Sequence, residues 1–442
     1  MAPRALPLLR PALAAEASLA FVAALGDFVT SIVLYGSQTM TRMGILMAVA
    51  FVDMIGLTLV LPLLALYALH LHASPTTIGF LTASFPVAQL VASPVWGRVS
   101  DRYGRRPALL AGLAASALAY LIFGLAGSLW LLFVSRFVQG LGGGTTGVAQ
   151  AYVADTMVPH DRAKALGWLS AATSLGVVIG PVVGSFAARA GESAPGLVAA
   201  ALCAANLVFA WQWLPESRVF SPHVTTASGH QVLAPEPRPV ADALWEVIRH
   251  PGRPAAHLIW IYAVAMLAYN SAPAVFTIYL AWRFGIGPTN IWWFFTVFGG
   301  VGVLMRAFVV GPVNDRLGEV RTMRLGATLY ALGYALLPLA PSVPMFLLIQ
   351  VLLPLGTALL FPANSALVSH RADRHEFGLM MGVQQALRGV ASVAGPIWAG
   401  LAYQHLGPSV PFFACAVIIA LALLMATRVP RGEPVAAAVE AV

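Results

Sequence analysis

Charged side chains are scarce in this 442-residue sequence: Asp, Glu, Lys and Arg make up 10% of it, and 59% is hydrophobic. Soluble domains carry roughly 25% charged residues, so a water-soluble globular protein is excluded. Apolar stretches long enough to cross a hydrocarbon core of about 30 Å, which takes roughly 20 helical residues, recur along almost the whole length. The sequence therefore predicts an all-α integral membrane protein.

Cysteine is also rare. Cys203 and Cys415 each lie within an apolar stretch, which argues against a disulfide framework and a cysteine metal site. The ten histidines are scattered without the spacing of a zinc site. No HExxH motif, phosphate-binding loop or nucleophile–base arrangement is present, so we predict neither an enzyme nor a cofactor or bound metal. The basic residues are divided among short loops, which disfavours nucleic acid as a partner.

Glycine, proline and charged residues divide the apolar sequence into twelve stretches, six on each side of a polar connector at 215–255. The six-helix units are predicted at 43–214 and 256–428, with an N-terminal extension at 1–42 and a tail at 429–442. The predicted spans are 43–69, 76–96, 107–126, 129–154, 163–188, 196–214, 256–282, 289–312, 322–340, 343–367, 376–403 and 409–427. Within the connector, residues 239–250 predict a short surface helix.

Two motifs recur at one offset. GRVSDRYGRRP at 97–107 returns as GPVNDRLGEVR at 311–321, and GPVVG at 180–184 returns as GPIWAG at 395–400. The offsets are 214 and 215 positions, which indicates a duplicated six-helix unit. Because six is even, both copies run in the same direction through the membrane. The sequence thus predicts two pseudo-symmetric six-helix bundles.

Arginine placement predicts the orientation. If both ends of the twelve-helix set face the cytoplasm, the outward loops carry only Arg189 and Arg283. The positive-inside rule then places both ends of the set on the cytoplasmic side of the cytoplasmic (inner) membrane.

Four charged residues, Asp53, Arg136, Arg306 and Arg388, fall well inside predicted spans. Asp53 lies about 15 Å from the inner end of the first span, and Arg136 lies about 10 Å from the outer end of the fourth. A carboxylate at a helix centre costs about 2.5 to 3.5 kcal/mol on insertion scales, so Asp53 is expected to face an aqueous cavity or a partner, and Arg136 is within reach. Two interpretations stay open, a structural ion pair and a proton carrier with alternating exposure. Arg306 and Arg388 are either cavity cations or members of structural pairs.

The chain resembles the major facilitator superfamily over about residues 43–428, in particular its twelve-helix drug/proton antiporter branch. The loop after the second span fits that family's G-x-x-x-D-R-x-G-R-R signature. The resemblance implies conformational gating by this loop, by its partial repeat and by an acid ending the fourth span, through ion pairs that lock one bundle against the other. The gating residues are Gly97, Asp101, Arg102, Gly104, Arg105, Arg106, Asp155, Asp315 and Arg316.

The fifth span fits a second motif, G-x8-G-x3-G-P-x-x-G, which begins at Gly167 and continues through Gly176, Gly180, Pro181 and Gly184. Small residues every four positions let a neighbouring helix approach closely, and a proline removes a helical hydrogen bond. In the resembled family this pattern goes with antiporters, most of which move substrate outward.

Local resemblance is greatest to tetracycline/proton antiporters, in FVDMIGLTLVLPLL at 51–64 and in residues 152–184. Those transporters carry further intramembrane acids in their third and ninth helices, where this sequence has Ala119 and Tyr330, so a different amphiphilic substrate is expected. The resemblance also implies a central path lined by the first, fourth, seventh and tenth helices. It nominates four substrate contacts: Gln139, Tyr269, Asn270 and Phe276.

The N-terminal extension resembles a different protein family. Residues 6–36 are similar to a stretch of ABC importer permeases, which predicts a gene-fusion remnant or a misassigned start. Residues 19–35 form either a thirteenth spanning helix or a helix on the membrane surface.

Taken together, the sequence predicts a monomer that exports hydrophobic or amphiphilic small molecules in exchange for protons. Asp53 and Arg136 are the proton-coupling residues, and the proton is the only coupling ion. A uniporter or symporter of a specific metabolite on the same fold stays open as the second interpretation, and a membrane-embedded enzyme or sensor as a less favoured third.

Overall fold

A computed structural model describes residues 38–158, 160–217, 240–371 and 377–429. Across these ranges the secondary structure is helical, and no strand is present in them. The similarity at 6–36, the candidate helix at 19–35 and the C-terminal tail from 430 onward lie outside the described residues.

Seven helices form the N-terminal bundle, and the fourth and fifth of them together make the fourth predicted span. They are α1 Gln38–His70, α2 Pro75–Tyr103, α3 Arg105–Gly124, α4 Leu129–Gly142, α5 Thr145–Thr156, α6 Arg162–Ala187 and α7 Ala194–Trp213.

The connector contributes the predicted surface helix, α8 Val240–Arg249, and the C-terminal bundle follows it. A π-helical turn at Met305–Val309 joins α10 to α11, and Val351 alone separates α13 from α14. The helices of the bundle are α9 Pro254–Phe284, α10 Trp292–Leu304, α11 Val310–Leu317, α12 Glu319–Leu336, α13 Val343–Gln350, α14 Leu352–Arg371, α15 Phe377–Leu406 and α16 Val410–Thr427.

Each of the twelve predicted spans coincides with one helix or with two consecutive helices. Within the described residues, nine segments are long and apolar enough to cross a membrane by length and composition. The fourth, ninth and eleventh passes, formed by α4 with α5, α12 and α15, are not among the nine. The prediction of an all-α membrane protein is confirmed.

Glycine interrupts the fourth pass. The break lies at Gly143 and Gly144, between α4 and α5, and it leaves carbonyl groups without helical donors. Side chains of α2 supply those donors: Gln89 Nε2 donates to the Gly143 carbonyl at 2.7 Å, and Trp96 Nε1 donates to the Leu141 carbonyl at 2.5 Å. Backbone groups at membrane depth need such partners, because lipid offers none.

The turn after α2 is tighter than the sequence predicted. Residues 97–103 continue the helix, and the chain turns only at Gly104, whose φ is 106°. Gly318, 214 positions later, makes the equivalent turn with φ 73°. Both values lie in the region that glycine adopts most readily. Gly97, which the sequence interpretation placed in the loop, lies within α2.

The end of the molecule that carries the Gly104 and Gly318 turns is called the basic end here, and the other is called the opposite end. At the opposite end the bundles touch: the Thr76 amide donates to Gln404 Oε1 at 3.2 Å, and the Phe186 and Trp292 rings lie 6.0 Å apart. At the basic end, no hydrogen bond or ion pair between two described residues joins the bundles. A cavity of about 500 Å³ lies between the bundles at the basic end, lined by Asp101 and Arg105 on one side and by Gln385 of the C-terminal bundle on the other. Among the described residues, the bundles are therefore joined at the opposite end and open at the basic end.

Candidate functional site

A cavity of about 270 Å³ lies in the half of the N-terminal bundle nearer the basic end. Helices α1, α3, α5 and α6 line it, mostly with apolar side chains. Asp53 is the charged residue in its wall, with Thr145, Gln150 and Ser170 among the polar neighbours. The predicted intramembrane acid therefore faces a cavity.

The carboxylate of Asp53 has one weak partner. Thr145 Oγ1 donates to Asp53 Oδ2 at 3.4 Å. Thr145 is the first residue of α5, directly after the break at Gly143 and Gly144, so the break determines where this hydroxyl lies. No cation among the described residues lies within ion-pair distance of Asp53.

Arg136 is paired differently from the prediction. It is 2% exposed, its guanidinium donates to Gln139 Oε1, and its Cζ lies 4.7 Å from the centroid of the Phe85 ring. Gln139 Nε2 in turn bonds to the Tyr120 hydroxyl at 2.5 Å. The predicted contact between Arg136 and Asp53 is not formed. The three-residue spacing of Arg136 and Gln139 on one helix is the signal that the sequence offered for the observed pair.

A charge network lies at the basic end. Arg105 Nε contacts Asp155 Oδ2 at 2.8 Å, and Arg105 Nη1 contacts Asp101 Oδ1 at 2.6 Å. The structure thus brings together three of the predicted gating residues. All three belong to the N-terminal bundle, so in this conformation these ion pairs join residues of one bundle, and the locking of one bundle against the other stays a prediction.

The other arginines of the signature have local partners. Arg102 lies over the ring of Tyr103, with its Cζ 5.4 Å from the centroid, and Arg106 donates to the Trp211 carbonyl. Glu216, just after α7, accepts hydrogen bonds from the backbone amides of Arg105 at 2.9 Å and Arg106 at 3.1 Å. The sequence interpretation missed Glu216, which caps the start of α3.

In the C-terminal repeat of the charge network, the acidic and basic positions are exchanged. Asp315 and Arg316, the predicted repeat residues, are exposed and form no ion pair with another described residue. Instead, Glu319 Oε1 lies 3.2 Å from His370 Nε2. These positions follow Arg105 by 214 and Asp155 by 215, so an acid replaces the base and a histidine replaces the acid. The repeat offset was the available signal for this missed pair.

The glycine motif of α6 is the surface that contacts α1. A Cβ atom built at Gly176, Gly180 or Gly184 would lie within 3 Å of a backbone oxygen of α1. Thr58 Oγ1 also donates to the Gly176 carbonyl at 3.1 Å. Gly167, at the start of the motif, has no such neighbour within 4 Å. The motif therefore holds α6 directly against the helix that carries Asp53.

The comparison with known protein families decides the identity. A family model described as Major Facilitator Superfamily matches residues 46–308 and 258–441. The chain belongs to the major facilitator superfamily. Both the family and the fold class predicted from the sequence are confirmed.

Curated relatives of this major facilitator include resistance proteins. It is 31% identical over 376 residues to the class C tetracycline resistance protein of Escherichia coli, covering 81% of this chain and 92% of the relative. It is 29% identical over 398 residues to multidrug resistance protein 2 of Bacillus subtilis (strain 168), covering 89% of this chain and 96% of the relative. The predicted drug/proton antiporter branch is confirmed, and the chain is a multi-pass membrane transporter related to tetracycline and multidrug resistance proteins.

Solved structures share the fold. The human organic anion transporter MFSD10 aligns with a TM-score of 0.63 at 20% identity, over 88% of this chain and 100% of that one. An inward-facing, unoccupied bacterial homologue of the lysosomal transporter Spinster aligns with a TM-score of 0.68 at 16% identity, over 88% of this chain and 97% of that one.

The four nominated substrate contacts of this major facilitator lie in different environments. Gln139 is 4% exposed and bound to Arg136, and Phe276 is 7% exposed among aromatic rings of the C-terminal bundle. Both side chains are buried in this conformation, and their assignment as substrate contacts stays a prediction. Asn270 donates to the Met266 carbonyl at 2.8 Å, while Tyr269 is half-buried.

The two positions where tetracycline/proton antiporters carry acids are core positions here. Ala119 is fully buried, and its carbonyl accepts a hydrogen bond from Ser135 Oγ at 2.8 Å. Tyr330 is 1% exposed, and its hydroxyl lies 3.2 Å from that of Tyr334. Both positions are therefore filled by close packing of neighbouring side chains.

Proposed function

We propose that this major facilitator exports hydrophobic or amphiphilic small molecules across the cytoplasmic membrane in exchange for protons, with Asp53 as the proton carrier. The observation that carries the proposal is the position of Asp53. It is a carboxylate at membrane depth, in the wall of a cavity, without a cationic partner among the described residues.

A carboxylate in such a place favours proton binding over permanent charge. Apolar side chains surround Asp53, and one long hydrogen bond from Thr145 replaces little of the water that a charged carboxylate loses. Charges at this depth are costly unless they are paired or reach water. Arg136 does not supply the counter-charge, because Gln139 and Phe85 hold it elsewhere. Uptake of a proton is the remaining way to neutralise the acid.

Coupling requires that the Asp53 carboxylate meet both sides of the membrane in turn. The structure is open at the basic end, and the arginine distribution predicts that this end faces the cytoplasm. We propose that Asp53 releases its proton to the cytoplasm in this conformation and that substrate then enters the cavity. Closure of the basic end and opening of the opposite end would release substrate outward and expose Asp53 to external protons.

The charge network of the basic end is proposed to control this closure. Arg105 is held by Asp101 and Asp155 within the N-terminal bundle while the basic end is open. We propose that the network contacts the C-terminal bundle when the basic end closes, which is the gating role that the family resemblance implies.

Transport by reconstituted protein tests the proton-carrier assignment. Proteoliposomes with an acidic lumen are expected to accumulate ethidium, an amphiphilic aromatic cation, as protons leave. Asp53→Asn is expected to reduce ethidium accumulation to the rate of protein-free liposomes, because the amide takes up and releases no proton in this pH range. Fluorescence of the trapped dye measures the rate.

Asp161→Asn is the matched control, since Asp161 is an exposed carboxylate outside the spans. It is expected to transport as the unmodified chain does. Gradient-dependent accumulation by Asp53→Asn at the unmodified rate would contradict the proton-carrier assignment. Ethidium movement in the same direction as the protons would contradict antiport and support the symporter interpretation.

A further inference from the structure

Helix α5 separates two cavities. One is the cavity of about 270 Å³ around Asp53, called the acid cavity here, and α5 contributes to its wall Thr145, Thr146, Ala149 and Gln150. The other is the cavity of about 500 Å³ between the bundles, called the inter-bundle cavity here, and α5 contributes to its wall Thr146, Gly147, Val148 and Ala151. Among the described residues, Thr146 alone lines both cavities.

The contacts of the neighbouring residues explain why Thr146 has this position. Thr145 points into the N-terminal bundle: its hydroxyl donates to Asp53, and a Cβ atom built at Gly112 of α3 would collide with its methyl group. Gly147 faces open space, because a Cβ atom built on it meets nothing within 4 Å. Successive residues of an α-helix are rotated by about 100°. The side chain of Thr146 therefore lies between these two directions, at the edge that the cavities share.

Thr146 also lies at the mouth of the acid cavity. Most lining residues of this cavity are buried or half-buried, and the exposed ones are Thr146, Gln150, Leu166 and Ser170, which belong to α5 and α6. The lining residues that α1 and α3 contribute are apolar apart from Asp53 itself. A proton that leaves the acid therefore meets polar groups on the side of α5 and α6.

The inter-bundle cavity continues this polar surface toward the basic end. Polar or charged side chains in its wall, besides Thr146, are Gln89, Ser93, Ser100, Asp101, Arg105 and Gln385. Asp101 and Arg105 belong to the charge network of the basic end, which the proposed function assigns to closure. A movement that closes this end would therefore also separate Thr146 from the cytoplasm.

We propose that Thr146 is the positioning residue for proton release, and that its hydroxyl passes the proton of Asp53 from the acid cavity to water in the inter-bundle cavity. The proposal rests on the proposed function and names the route of its proton. A threonine hydroxyl both accepts and donates a hydrogen bond. It takes up one proton on the side of the acid as it gives its own to water on the other side. One proton moves, and the threonine is unchanged.

Two modes of transport separate proton release from substrate passage. Ethidium accumulation by proteoliposomes with an acidic lumen needs one released proton in each cycle, whereas exchange of radiolabelled for unlabelled ethidium at equal pH on both sides needs none. Thr146→Val keeps the shape of the side chain and removes the hydroxyl. It is expected to slow accumulation about tenfold, the contribution of one hydrogen bond to a charged group, and to leave exchange unchanged. Thr146→Ser is expected to restore accumulation.

Thr156→Val is the matched control on the same helix. Thr156 is the last residue of α5, lines neither cavity, and donates to the Tyr152 carbonyl at 2.8 Å. This variant is expected to match the unmodified chain in both modes. Accumulation by Thr146→Val at the unmodified rate would overturn the proposal. Equal slowing of accumulation and exchange would also overturn it, because damage to the fold or obstruction of the substrate path slows both modes.

Ser170→Ala tests the α6 side of the same mouth and is expected to slow accumulation less than Thr146→Val does. Slowing by Ser170→Ala that equals or exceeds that of Thr146→Val would overturn the assignment to Thr146. The Asp53→Asn variant separates the two levels. Loss of accumulation in Asp53→Asn, together with normal accumulation in Thr146→Val, would reject this inference and leave the proposed function standing. Gradient-dependent accumulation by Asp53→Asn at the unmodified rate would reject the proposed function itself.

Discussion

The two charged side chains at membrane depth in the N-terminal bundle lie in different environments. Arg136 is buried with a hydrogen-bonding neighbour on its own helix, while Asp53 lines a cavity with one weak donor. The sequence was sufficient to place both residues at membrane depth. It was insufficient to decide whether they meet, because the rotation of α4 about its axis depends on contacts such as Arg136 with Phe85 of α2.

Loss of the Gln139 amide is expected to destabilise the N-terminal bundle. In Gln139→Ala the buried guanidinium of Arg136 loses its acceptor, and an unsatisfied buried polar group costs about 1 to 3 kcal/mol, more when it is charged. The melting temperature in detergent should therefore fall. Gln150→Ala, at an exposed glutamine of the cavity wall, serves as the control and should melt with the unmodified chain. Equal melting of both variants would show that Arg136 finds another partner.

A methyl group at Gly180 is expected to force α6 away from α1. The added Cβ would collide with Thr58 Oγ1 and with the α1 backbone at Ile55 and Leu59, which has no freedom to rotate aside. Overpacking of this kind costs about 1 to 3 kcal/mol. Gly167→Ala is the matched control on the same helix, because its Cβ meets nothing within 4 Å. The Gly180→Ala variant should melt at a lower temperature than Gly167→Ala, and the reverse order would contradict the close contact.

At the scale of elements, the signature at residues 97–106 specifies a turn but not where the helix before it ends. Its glycine at position 104 makes a turn with positive φ, a conformation that glycine adopts readily. Its first seven residues continue α2, which the sequence interpretation assigned to a loop. The helix persists because the carbonyl of Ser100 still accepts a hydrogen bond from the Gly104 amide, at 3.1 Å, and Glu216 receives the amides that follow. Glu216 lies more than a hundred residues away in sequence, so no local pattern reveals it.

The Glu216 carboxylate is expected to hold the first turn of α3. Removal of a capping acceptor costs about 0.5 to 2 kcal/mol and acts mainly on the first turn of a helix. Glu216→Ala should therefore accelerate hydrogen exchange at the amides of Arg105 and Arg106, as measured by mass spectrometry of the peptides that contain them. Glu192→Ala, at an exposed acid of the opposite end, should leave that exchange unchanged. Unchanged exchange in Glu216→Ala would mean that the cap is dispensable.

For the whole molecule, the number of passes, the duplication and the family were predictable, because apolar length and repeated motifs are properties of the sequence itself. The break between α4 and α5 and the π-helical turn around Arg306 were not predicted, since each depends on donors or packing from other helices. The open basic end was also beyond the sequence. It reflects contacts such as Thr76 with Gln404, which join residues of different bundles.

A cross-link across the opposite end is expected to trap the conformation that is open at the basic end. Thr76→Cys combined with Gln404→Cys places two thiols where the amide of one residue now meets the side chain of the other. Short bifunctional reagents should join them and stop ethidium transport. The native thiols of Cys203 and Cys415 are 0% and 1% exposed, so they are protected from the reagent.

The control for this experiment joins two residues of one bundle. His70 Nδ1 and Glu192 Oε1 lie 3.1 Å apart at the same end of the N-terminal bundle. His70→Cys with Glu192→Cys should cross-link and still transport. Continued transport by the cross-linked 76–404 pair would show that the opposite end does not open during the cycle.

The fourth, ninth and eleventh passes are too short or too polar to be recognised as membrane spans by themselves, and this has a consequence for membrane insertion. Two of them carry an arginine within the pass, Arg136 on α4 and Arg388 on α15. An arginine at the centre of a span costs about 2.5 to 3.5 kcal/mol during insertion and less towards the ends, so segments that carry one enter the bilayer less readily by themselves. Their apolar neighbours in the chain must already be present to receive them. We therefore expect the fourth and eleventh passes to insert only beside their apolar neighbours, so that a chain whose early helices fail to assemble inserts these two passes poorly.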